Sequence, residues 1–494
     1  MKNIYIKGSG DGVFKCICSA KQISHILKDQ IKIFVSETEA ERMSPLGVFC
    51  CMGEENFDAI IHIMDDNNQP RLLENTPSQY IYYFSQIFSI DDSFFLAEVE
   101  KFLFDNKLYK QLKMFNKLKI DVAVATKNTV ADYMPRYLHI SHTNFCNAQC
   151  IMCTHYFLKN KHAKHLDERM LEKFDELLPY AEILTLHGTG EPFMDKSILK
   201  TLAACEKYGV QIVTNTNLSY LSPELFGYVS RIFRQLNVSC DGANKEIFEK
   251  IRKNISFETF EKNLALLNTV SDKVLLCMAS VAMRQNILHL TDLVLFAKKY
   301  GFKRIAFNCL KAYKEIGNYD DELINYPNVS SRSFKECLKV GREIGIEVLV
   351  PEDMLLDCEN DEQIAIEIEK MNSVASSVSV NMQEELSEKN KDMELTEIPQ
   401  VYEKQSALYN CQGICDWLAE KPYIDIDGNV AICCFNKNVI VGNVFETPIK
   451  EIINSPVYKT WRQAFYDNKM PMHCGHCQFV QNGTLERLKV YDKK

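Results

Sequence analysis

The sequence predicts an α/β fold: a partial (β/α)6 barrel, preceded by a second α/β domain and followed by a small cysteine-rich domain. Three features support this organisation. Residues 136–351 alternate apolar strands with helical stretches, residues 1–130 alternate strand-like and helix-like pieces, and residues 408–485 hold a second group of cysteines. Residues 360–405 are polar and charged, so we predict a linker there that could include a solvated helix.

The composition is that of a globular protein, with 46% apolar and 25% charged residues among 494. A net charge of −9 argues against a nucleic-acid binder, whose affinity comes from basic surface. The N-terminal "MKNIYIKGSGDG" lacks the apolar core of a signal peptide, and no apolar run approaches the roughly 18 to 20 residues that span a bilayer. We therefore expect a cytoplasmic protein without nucleic-acid or membrane partners. Disulfides are rare in that compartment, so clusters among the 19 cysteines are predicted to be metal or cluster ligands.

The N-terminal block begins with "IYIKGSGDGVF", a predicted strand followed by a glycine-rich turn. A dinucleotide-binding turn has the pattern GxGxxG, but the glycines here are Gly8, Gly10 and Gly12, so the third is misplaced. Glu37 follows the second predicted strand, at the place of a ribose-binding acid. The block resembles degenerate Rossmann-like domains attached to sugar-modifying proteins, and a structural or docking role is preferred to cofactor binding. It does not resemble the small winged-helix module of many peptide-modifying enzymes.

The middle block predicts a parallel sheet, because its strands alternate with helices at the spacing of βαβ units. Six or seven repeats suggest a barrel or partial barrel rather than a flat sheet. The predicted strands are "YLHIS", "ILTLHG", "QIVTNT", "QLNVSCDG", "VLLCMASVAM", "RIAFNCL" and "IEVLV".

Three cysteines, Cys146, Cys150 and Cys153, follow the first of these strands in "HTNFCNAQCIMCTH". Loops after the strands form the functional face of parallel barrels, so the thiols are predicted at the barrel mouth. A zinc site would need a fourth ligand, for which His142 or His155 is available. A 4Fe–4S cluster takes one thiolate per iron, so three cysteines leave one iron open for another ligand.

The stretch "HGTGEP", residues 187–192, favours the cluster over zinc. Its glycines let backbone groups approach a ligand closely and Glu191 supplies an acceptor, neither of which a simple zinc site requires. Together with "TNTN" after the third strand and "SCDG" after the fourth, these motifs resemble the radical S-adenosylmethionine (SAM) superfamily over residues 136–350. The resemblance implies that the three cysteines hold a 4Fe–4S cluster whose open iron binds the amino and carboxylate groups of SAM.

The resemblance also implies which residues contact SAM. The backbone of residues 188–190 matches the motif that meets the methionine amino group, Ser239 matches a serine that contacts SAM, and Arg252 matches an arginine that pairs with the SAM carboxylate. Thr189 in place of glycine, and Met152 in place of an aromatic residue, are tolerated departures from the family pattern. The implied SAM-binding residues are Gly188, Thr189, Gly190, Glu191, Ser239 and Arg252.

In this family a low-potential electron cleaves SAM into methionine and a 5′-deoxyadenosyl radical, which abstracts hydrogen from an unactivated carbon. The resemblance therefore implies an oxidoreductase-like enzyme served by an electron donor of the flavodoxin or ferredoxin type. No substrate-side acid or base is identified. His187, Arg284, Asn286 and Asn308 lie near predicted strand ends, where each is equally a structural polar group.

The C-terminal block predicts a second metal or cluster site. "YIDIDGNVAICC" is a predicted hairpin with its turn at Asp427 and Gly428, which brings Cys415 near Cys433. A CxxC turn closes a four-thiolate site, for which zinc remains an alternative. The predicted ligands are Cys415, Cys433, Cys474 and Cys477.

This block resembles the SPASM and twitch domains at the C-terminus of many radical SAM enzymes. No cysteine follows Cys477, so we expect the shorter twitch form with one auxiliary 4Fe–4S cluster. Cys411 and Cys434 are extra thiols, and either could displace an assigned neighbour. Four protein ligands leave no open iron, which favours electron transfer with a substrate radical over substrate binding.

The substrate prediction rests on the single auxiliary cluster, which resembles the arrangement in a cyclitol-oxidising dehydrogenase, and on the N-terminal block. We predict oxidation, epimerisation or dehydration of a sugar, cyclitol or nucleotide-linked small molecule. One alternative is a maturase that modifies a ribosomally made peptide. Another is a non-catalytic zinc or iron–sulfur scaffold that does not cleave SAM.

Overall fold

The computed structural model describes residues 2–7, 31–35, 49–50, 59–64, 81–85, 97, 100–101, 103–153, 155, 163–313, 316–374, 401–403, 414–435, 437, 439–467, 469–471, 474 and 487–488. The chain divides into two compact units, Met1–Lys119 and Ile120–Lys494. Within the described residues, no helix is long and apolar enough to cross a membrane. The predicted glycine-rich turn, Glu37, Cys411 and Cys477 lie outside the described residues.

The first unit contains a five-stranded parallel sheet. Its strands are β1 (Lys2–Lys7), β2 (Ile31–Val35), β3 (Phe49–Cys50), β4 (Ala59–Met64) and β5 (Ile81–Ser85). They pair in parallel in the order β3-β2-β1-β4-β5. The strand order reverses between β1 and β4, as it does in doubly wound Rossmann-type folds. This parallel sheet agrees with the α/β fold expected for residues 1–130.

The second unit is built on a ten-stranded sheet of order β14-β13-β12-β10-β9-β8-β6-β17-β18-β19. The seven strands from β6 to β14 in this sheet pair in parallel and correspond to the seven predicted from the sequence. The strands of the unit are β6 (Tyr137–Ile140), β7 (Gln149–Cys150), β8 (Ile183–Leu186), β9 (Gln211–Thr216), β10 (Phe233–Ser239), β11 (Arg252–Lys253), β12 (Leu275–Ala282), β13 (Arg304–Cys309), β14 (Glu347–Leu349), β15 (Val401–Glu403), β16 (Ile414–Cys415), β17 (Tyr423–Ile424), β18 (Asn429–Ala431), β19 (Ile440–Asn443), β20 (Lys469–Pro471) and β21 (Arg487–Leu488).

Helices follow the parallel strands, as the alternating sequence pattern predicts. Polar residues cap several of them: the side chain of Ser222 accepts from the Leu225 amide at 3.1 Å, and that of Ser256 accepts from the Thr259 amide at 3.3 Å. The helices are α1 (Tyr109–Ala125), α2 (Glu168–Leu177), α3 (Ile198–Tyr208), α4 (Pro223–Ile232), α5 (Lys245–Ile251), α6 (Phe257–Asn268), α7 (Leu290–Lys299), α8 (Pro327–Ile344), α9 (Asp361–Ser373), α10 (Asp416–Glu420), α11 (Ile449–Ile452) and α12 (Pro456–Tyr466).

The two faces of the parallel sheet differ in chemistry. One face is apolar and fully buried, with Leu138, Leu184, Ile212, Leu236, Leu276, Met278 and Ile305. On the opposite face, the Gln235 amide donates to Asn237 Oδ1 and the Asn237 amide donates to Asn215 Oδ1, both at 2.7 Å. The interior of a closed barrel is packed with branched apolar side chains. A partly exposed polar face instead leaves this partial barrel able to bind a ligand inside.

The C-terminal hairpin continues the barrel sheet. Strand β17 pairs in parallel with β6, which places Tyr423 beside His139, and β18 and β19 then add antiparallel strands. The predicted turn is present, with Gly428 at a φ of 84°, a conformation that favours glycine. A Cβ atom at Gly428 would also lie 2.5 Å from the Phe445 ring.

Helix α9 lies within the range that the sequence predicts as a polar linker. Ile364, Glu367 and Met371 share its buried face. The Glu367 carboxylate accepts from the backbone amides of Asn328 and Val329 at 3.2 and 2.8 Å, at the start of α8. A carboxylate at this position stabilises a helix by satisfying its free amide groups and interacting with its dipole.

Arg462 joins three segments near the C-terminal hairpin. The side chain is 1% exposed on α12. Its Nη1 donates to the carbonyls of Thr129 and Ile453 at 3.0 and 2.7 Å, and its Nε donates to the Leu418 carbonyl at 3.3 Å. Hydrogen bonds from a charged group are about twice as strong as neutral ones, so this side chain is a major tie between these segments.

The Arg462→Met variant should lower the free energy of unfolding by about 3 kcal/mol, because it leaves three carbonyls without their buried donor. Arg342→Met, which removes an exposed arginine from α8, is the matched control and should change stability little. Thermal and urea unfolding of the purified variants would measure both effects. Equal stability of the two variants would contradict the role assigned to Arg462.

Candidate active site

The three predicted cluster cysteines lie on one loop between β6 and α2. Cys150 is on the short strand β7, which pairs antiparallel with β11 so that Cys150 and Arg252 are opposite each other. The amide of Ile151 donates to the Ile251 carbonyl at 3.0 Å, and that of Cys153 donates to the Cys150 carbonyl at 3.1 Å. The cysteine loop is therefore held against the segment that follows α5.

A second loop, residues 187–191 after β8, is hydrogen-bonded to the cysteine loop. The Gly190 amide donates to the Thr143 carbonyl at 3.1 Å, and the Glu191 amide donates to the Phe145 carbonyl at 2.8 Å. A Cβ atom at Gly190 would lie 2.5 and 2.6 Å from these two carbonyl oxygens. Glycine is needed at this position because the two loops touch, a reason that differs from the ligand approach inferred from the sequence.

The carboxylate of Glu191 ties this second loop to the end of β9. It accepts from the Thr216 hydroxyl at 2.7 Å and from the backbone amides of Asn217 and Phe193 at 2.6 and 3.2 Å. Burial raises the pKa of Glu191, and these donors oppose that rise. All three contacts are within the protein, so Glu191 holds the loop of residues 187–191 against the end of β9. Thr189 is exposed and Gly188 is half-buried in the same loop.

Two of the cysteine sulfurs have hydrogen-bond donors beside them. Asn217 Nδ2 is 3.8 Å from Cys146 Sγ, and Arg252 Nη1 is 3.9 Å from Cys150 Sγ. Burial raises the pKa of Cys146 to about 12 and that of Cys150 to about 11, and Arg252 opposes the rise at Cys150. Ligation to iron deprotonates a thiol, and nearby donors then stabilise the thiolate. The donors beside Cys146 and Cys150 fit thiolate ligands of an iron–sulfur cluster.

Arg252 is also in a buried ion pair. Its Nε is 2.7 Å from Asp241 Oδ2, and Asp241 Oδ1 accepts from the Ser280 hydroxyl and the Val281 amide at 3.1 and 2.7 Å. Burial disfavours the guanidinium charge, but Asp241, Cys150 and Cys240 together outweigh this effect and hold the pKa of Arg252 above its usual value. Ser239 lies at the end of β10, half-buried on the polar face.

His142, one of the two candidates for a fourth zinc ligand, is fully buried and already paired. Its Nδ1 is 2.8 Å from Asp195 Oδ2, and its Nε2 is 2.9 Å from the Thr201 hydroxyl. Both ring nitrogens are thus committed within the protein. The other candidate, His155, is half-buried, and burial lowers its pKa. Among the residues that are described, no group of three or more His, Cys, Asp or Glu side chains is placed to hold a metal ion.

The predicted auxiliary ligands occupy separate short elements. Cys415 is the last residue of β16, Cys433 follows β18 and is 9% exposed, and Cys474 lies after β20. Cys434 is half-buried, and burial raises its pKa to about 12. Cys433 and Cys434 are adjacent at the end of the hairpin strand that continues the barrel sheet, so either thiol remains a candidate.

The polar residues near the strand ends fall into two groups. Arg284 pairs with Asp321 at 2.9 Å, and the Asn286 amide donates to the carbonyls of Asp241 and Val281, so both are structural. Asn308 is exposed and His187 is half-buried. The His187 ring packs 4.3 Å from that of His139, and burial lowers the pKa of His187 to about 4. Of these two residues, only Asn308 is exposed enough to be free for contact with a ligand.

Sequence reasoning missed two residues of this site, Asn217 and Asp241. Asn217 is the last residue of "TNTN", and Asp241 is the third residue of "SCDG". Both therefore lay inside motifs that the sequence analysis used. Asn217 contacts Cys146, which is about 70 positions away along the chain, and Asp241 contacts Arg252, which is about 11 positions away. The motifs alone do not specify which distant residue each side chain meets in the folded protein.

Two family models match this chain. The family model described as the radical SAM superfamily matches residues 140–297, and the model described as SPASM, an iron–sulfur cluster-binding domain, matches residues 415–478. The first kind of domain binds a 4Fe–4S cluster and SAM, and the second kind binds auxiliary iron–sulfur clusters. No protein of curated function matches the chain.

Several solved structures are similar to this chain. Streptococcus suis SuiB bound to S-adenosylmethionine is 15% identical, with a TM-score of 0.46, over 76% of this chain and 80% of that one. The anSMEcpe enzyme with bound AdoMet is 17% identical, with a TM-score of 0.46, over 70% and 84% of the two chains. BtrN in complex with AdoMet and 2-DOIA is 13% identical, with a TM-score of 0.33, over 71% and 93%.

The Gly190→Ala variant should lose most of the iron bound by the three-cysteine loop, about four atoms per chain, because its methyl group displaces the Thr143 and Phe145 carbonyls. Iron and sulfide analysis after anaerobic reconstitution would measure the loss. Gly227→Ala is the control, since its Cβ would meet only the end of the Arg231 side chain at 3.2 Å. Full iron content in Gly190→Ala would contradict the proposed contact between the loops.

Proposed function

Because the chain is a radical SAM protein with a C-terminal SPASM domain, we propose that it is an enzyme that cleaves SAM and removes a hydrogen atom from its substrate. One observation carries this proposal: the three-cysteine loop is joined to the loop of Gly190 and Glu191 by two backbone hydrogen bonds. This junction supports the proposal, because the cysteine loop and the loop of residues 187–191 are in direct contact. The bound cluster and SAM supply the electron transfer and the 5′-deoxyadenosyl radical.

The residues of the chain have separate tasks in this proposal. Cys146, Cys150 and Cys153 ligate the cluster and leave one iron for SAM. The amides of Gly190 and Glu191 are occupied by the cysteine loop, so residues 188 and 189 offer carbonyl oxygens to the SAM amino group. Ser239, on the polar face of the sheet, supplies a hydroxyl to SAM. A flavodoxin- or ferredoxin-type protein delivers the electron.

We propose a peptide as the substrate. On the polar face, Asn215 on β9, Asn308 on β13 and Leu349 on β14 are all exposed. The five strands from β9 to β14 span about 19 Å at the usual strand spacing, the length of about six extended residues. The amides of Asn215, Gln235 and Asn237 both donate and accept hydrogen bonds, as binding of a peptide backbone requires. A sheet face of this width, with hydrogen-bonding amides on β9 and β10, suits a chain substrate better than one small ring.

The sugar, cyclitol or nucleotide-linked substrate predicted from the sequence is the second candidate. The Rossmann-type strand order of the first unit favours it, because such domains accompany nucleotide chemistry. Among the similar structures, one is described as SuiB bound to precursor peptide SuiA and another as anSMEcpe with the Cp18Cys peptide. BtrN is described with 2-DOIA. The ranking proposed here rests on the length of the polar face.

The two substrate classes are separated by their effect on SAM cleavage. Bound substrate should stimulate formation of 5′-deoxyadenosine severalfold over the basal rate, because it excludes water and consumes the radical. A pool of synthetic peptides and a pool of sugars, cyclitols and sugar nucleotides would be compared under reducing, anaerobic conditions. We expect stimulation by peptides; stimulation by the second pool alone would reverse the ranking.

The reconstituted protein should form 5′-deoxyadenosine from SAM and dithionite, and it should contain about eight irons per chain, four in each of two clusters. A variant with Cys146→Ala, Cys150→Ala and Cys153→Ala should hold about four irons and form no 5′-deoxyadenosine. Cys358→Ala, which removes an exposed thiol, should match the wild type. About two zincs per chain and no cleavage would instead establish the metal-stabilised scaffold.

The auxiliary site should be separable from SAM cleavage. A variant with Cys415→Ala, Cys433→Ala and Cys474→Ala should lose about four irons yet keep the basal formation of 5′-deoxyadenosine, because the SAM-binding cluster is held by other residues. Iron analysis and chromatography of the nucleoside products would measure the two effects. Loss of basal SAM cleavage in a folded variant would show that the auxiliary cluster supplies the electron.

A further inference from the structure

Arg252 is buried between a proposed cluster ligand and a carboxylate. It is 7% exposed, and its backbone pairs with that of Cys150 across β7 and β11. One nitrogen of the guanidinium, Nη1, lies 3.9 Å from Cys150 Sγ, and a second, Nε, lies 2.7 Å from Asp241 Oδ2. The sequence resemblance assigns Arg252 to the SAM carboxylate, whereas the structure commits two of its three nitrogens to other groups.

A buried cation beside a cluster thiolate changes the energy of electron uptake. Reduction of a 4Fe–4S cluster from the 2+ to the 1+ state adds one negative charge to the cluster and its thiolates. A neighbouring positive charge stabilises the reduced state more than the oxidised state, and the low dielectric of a buried site strengthens the effect. A neighbouring negative charge does the opposite.

Asp241 is built to hold this cation in place. Its carboxylate is fully buried and also accepts from the Ser280 hydroxyl and the Val281 amide at the end of β12. The ion pair therefore fixes the guanidinium against β7, where the sulfur of Cys150 is within reach. The guanidinium meets the carboxylate through Nε and the sulfur through Nη1, so the carboxylate offsets part of the positive charge felt by the cluster.

We propose that Arg252 and Asp241 act as a pair that sets the reduction potential of the SAM-binding cluster through the Cys150 thiolate. Arg252 raises the potential and Asp241 lowers it. Both are positioning residues that act through Cys150. The proposal rests on the proposed function, because it requires a 4Fe–4S cluster on the three-cysteine loop.

The test is a potentiometric titration of the cluster without SAM, followed by electron paramagnetic resonance. The auxiliary triple-cysteine variant serves as background, so that one cluster gives the signal. In Arg252→Gln, the ratio of reduced to oxidised cluster at a fixed potential should fall at least tenfold, a shift of about 59 mV to lower potential for one electron. Asp241→Asn should shift the potential in the opposite direction.

Two controls separate the charge from its position. Arg252→Lys keeps the positive charge and should restore most of the wild-type potential. Lys253→Gln removes a cation from the next residue, which is exposed, and should leave the potential unchanged.

The outcomes are distinct. An unchanged potential in a folded Arg252→Gln protein with four irons overturns the proposal, whether or not SAM binding is weakened. If Arg252→Gln does not fold, Asp241→Asn carries the test, and an unchanged or lowered potential there overturns the proposal. A wild-type protein that takes up no iron on the three-cysteine loop would overturn the proposed function itself.

Discussion

The buried carboxylate of Glu191 connects the ends of three neighbouring strands. The backbone amide of Glu191 donates to the cysteine loop after β6, and Glu191 itself lies in the loop after β8. Its carboxylate oxygens accept from Thr216 and Asn217 at the end of β9. An unpaired buried carboxylate would be costly, so these contacts must form together. The rest of the site depends on this arrangement, because it sets where the proposed iron ligands lie relative to the loop of residues 187–191.

The C-terminal block is part of the barrel sheet in this protein. The pairing of β17 with β6 places the hairpin that ends in Cys433 directly beside the strand that leads to Cys146. Arg462 then fixes the helices around the hairpin by donating to three carbonyls. Cys433 and Cys434 therefore follow a strand of the barrel sheet, whereas Cys150 and Cys415 lie on separate two-stranded sheets.

The polar face of the sheet and the buried ion pair beside the cysteine loop serve different purposes. Asn215, Gln235 and Asn237 form a row of hydrogen-bonded amides on the face that is open to a ligand. Behind the cysteine loop, Arg252 and Asp241 form an ion pair that is shielded from solvent. Charge that is shielded by protein acts more strongly on a neighbouring cluster than surface charge does, because solvent and salt screen it less.

The sequence by itself determined the order of strands and helices, the seven parallel strands, the hairpin turn at Gly428 and the motifs at the strand ends. These features depend on local periodicity and turn chemistry, which are written in adjacent residues. Only the tertiary structure decided that Gly190 is required by a loop contact, that His142 is occupied by Asp195, and that Arg252 lies against Cys150. These relations join residues that are distant along the chain, and a local pattern cannot encode which distant group a buried side chain will meet.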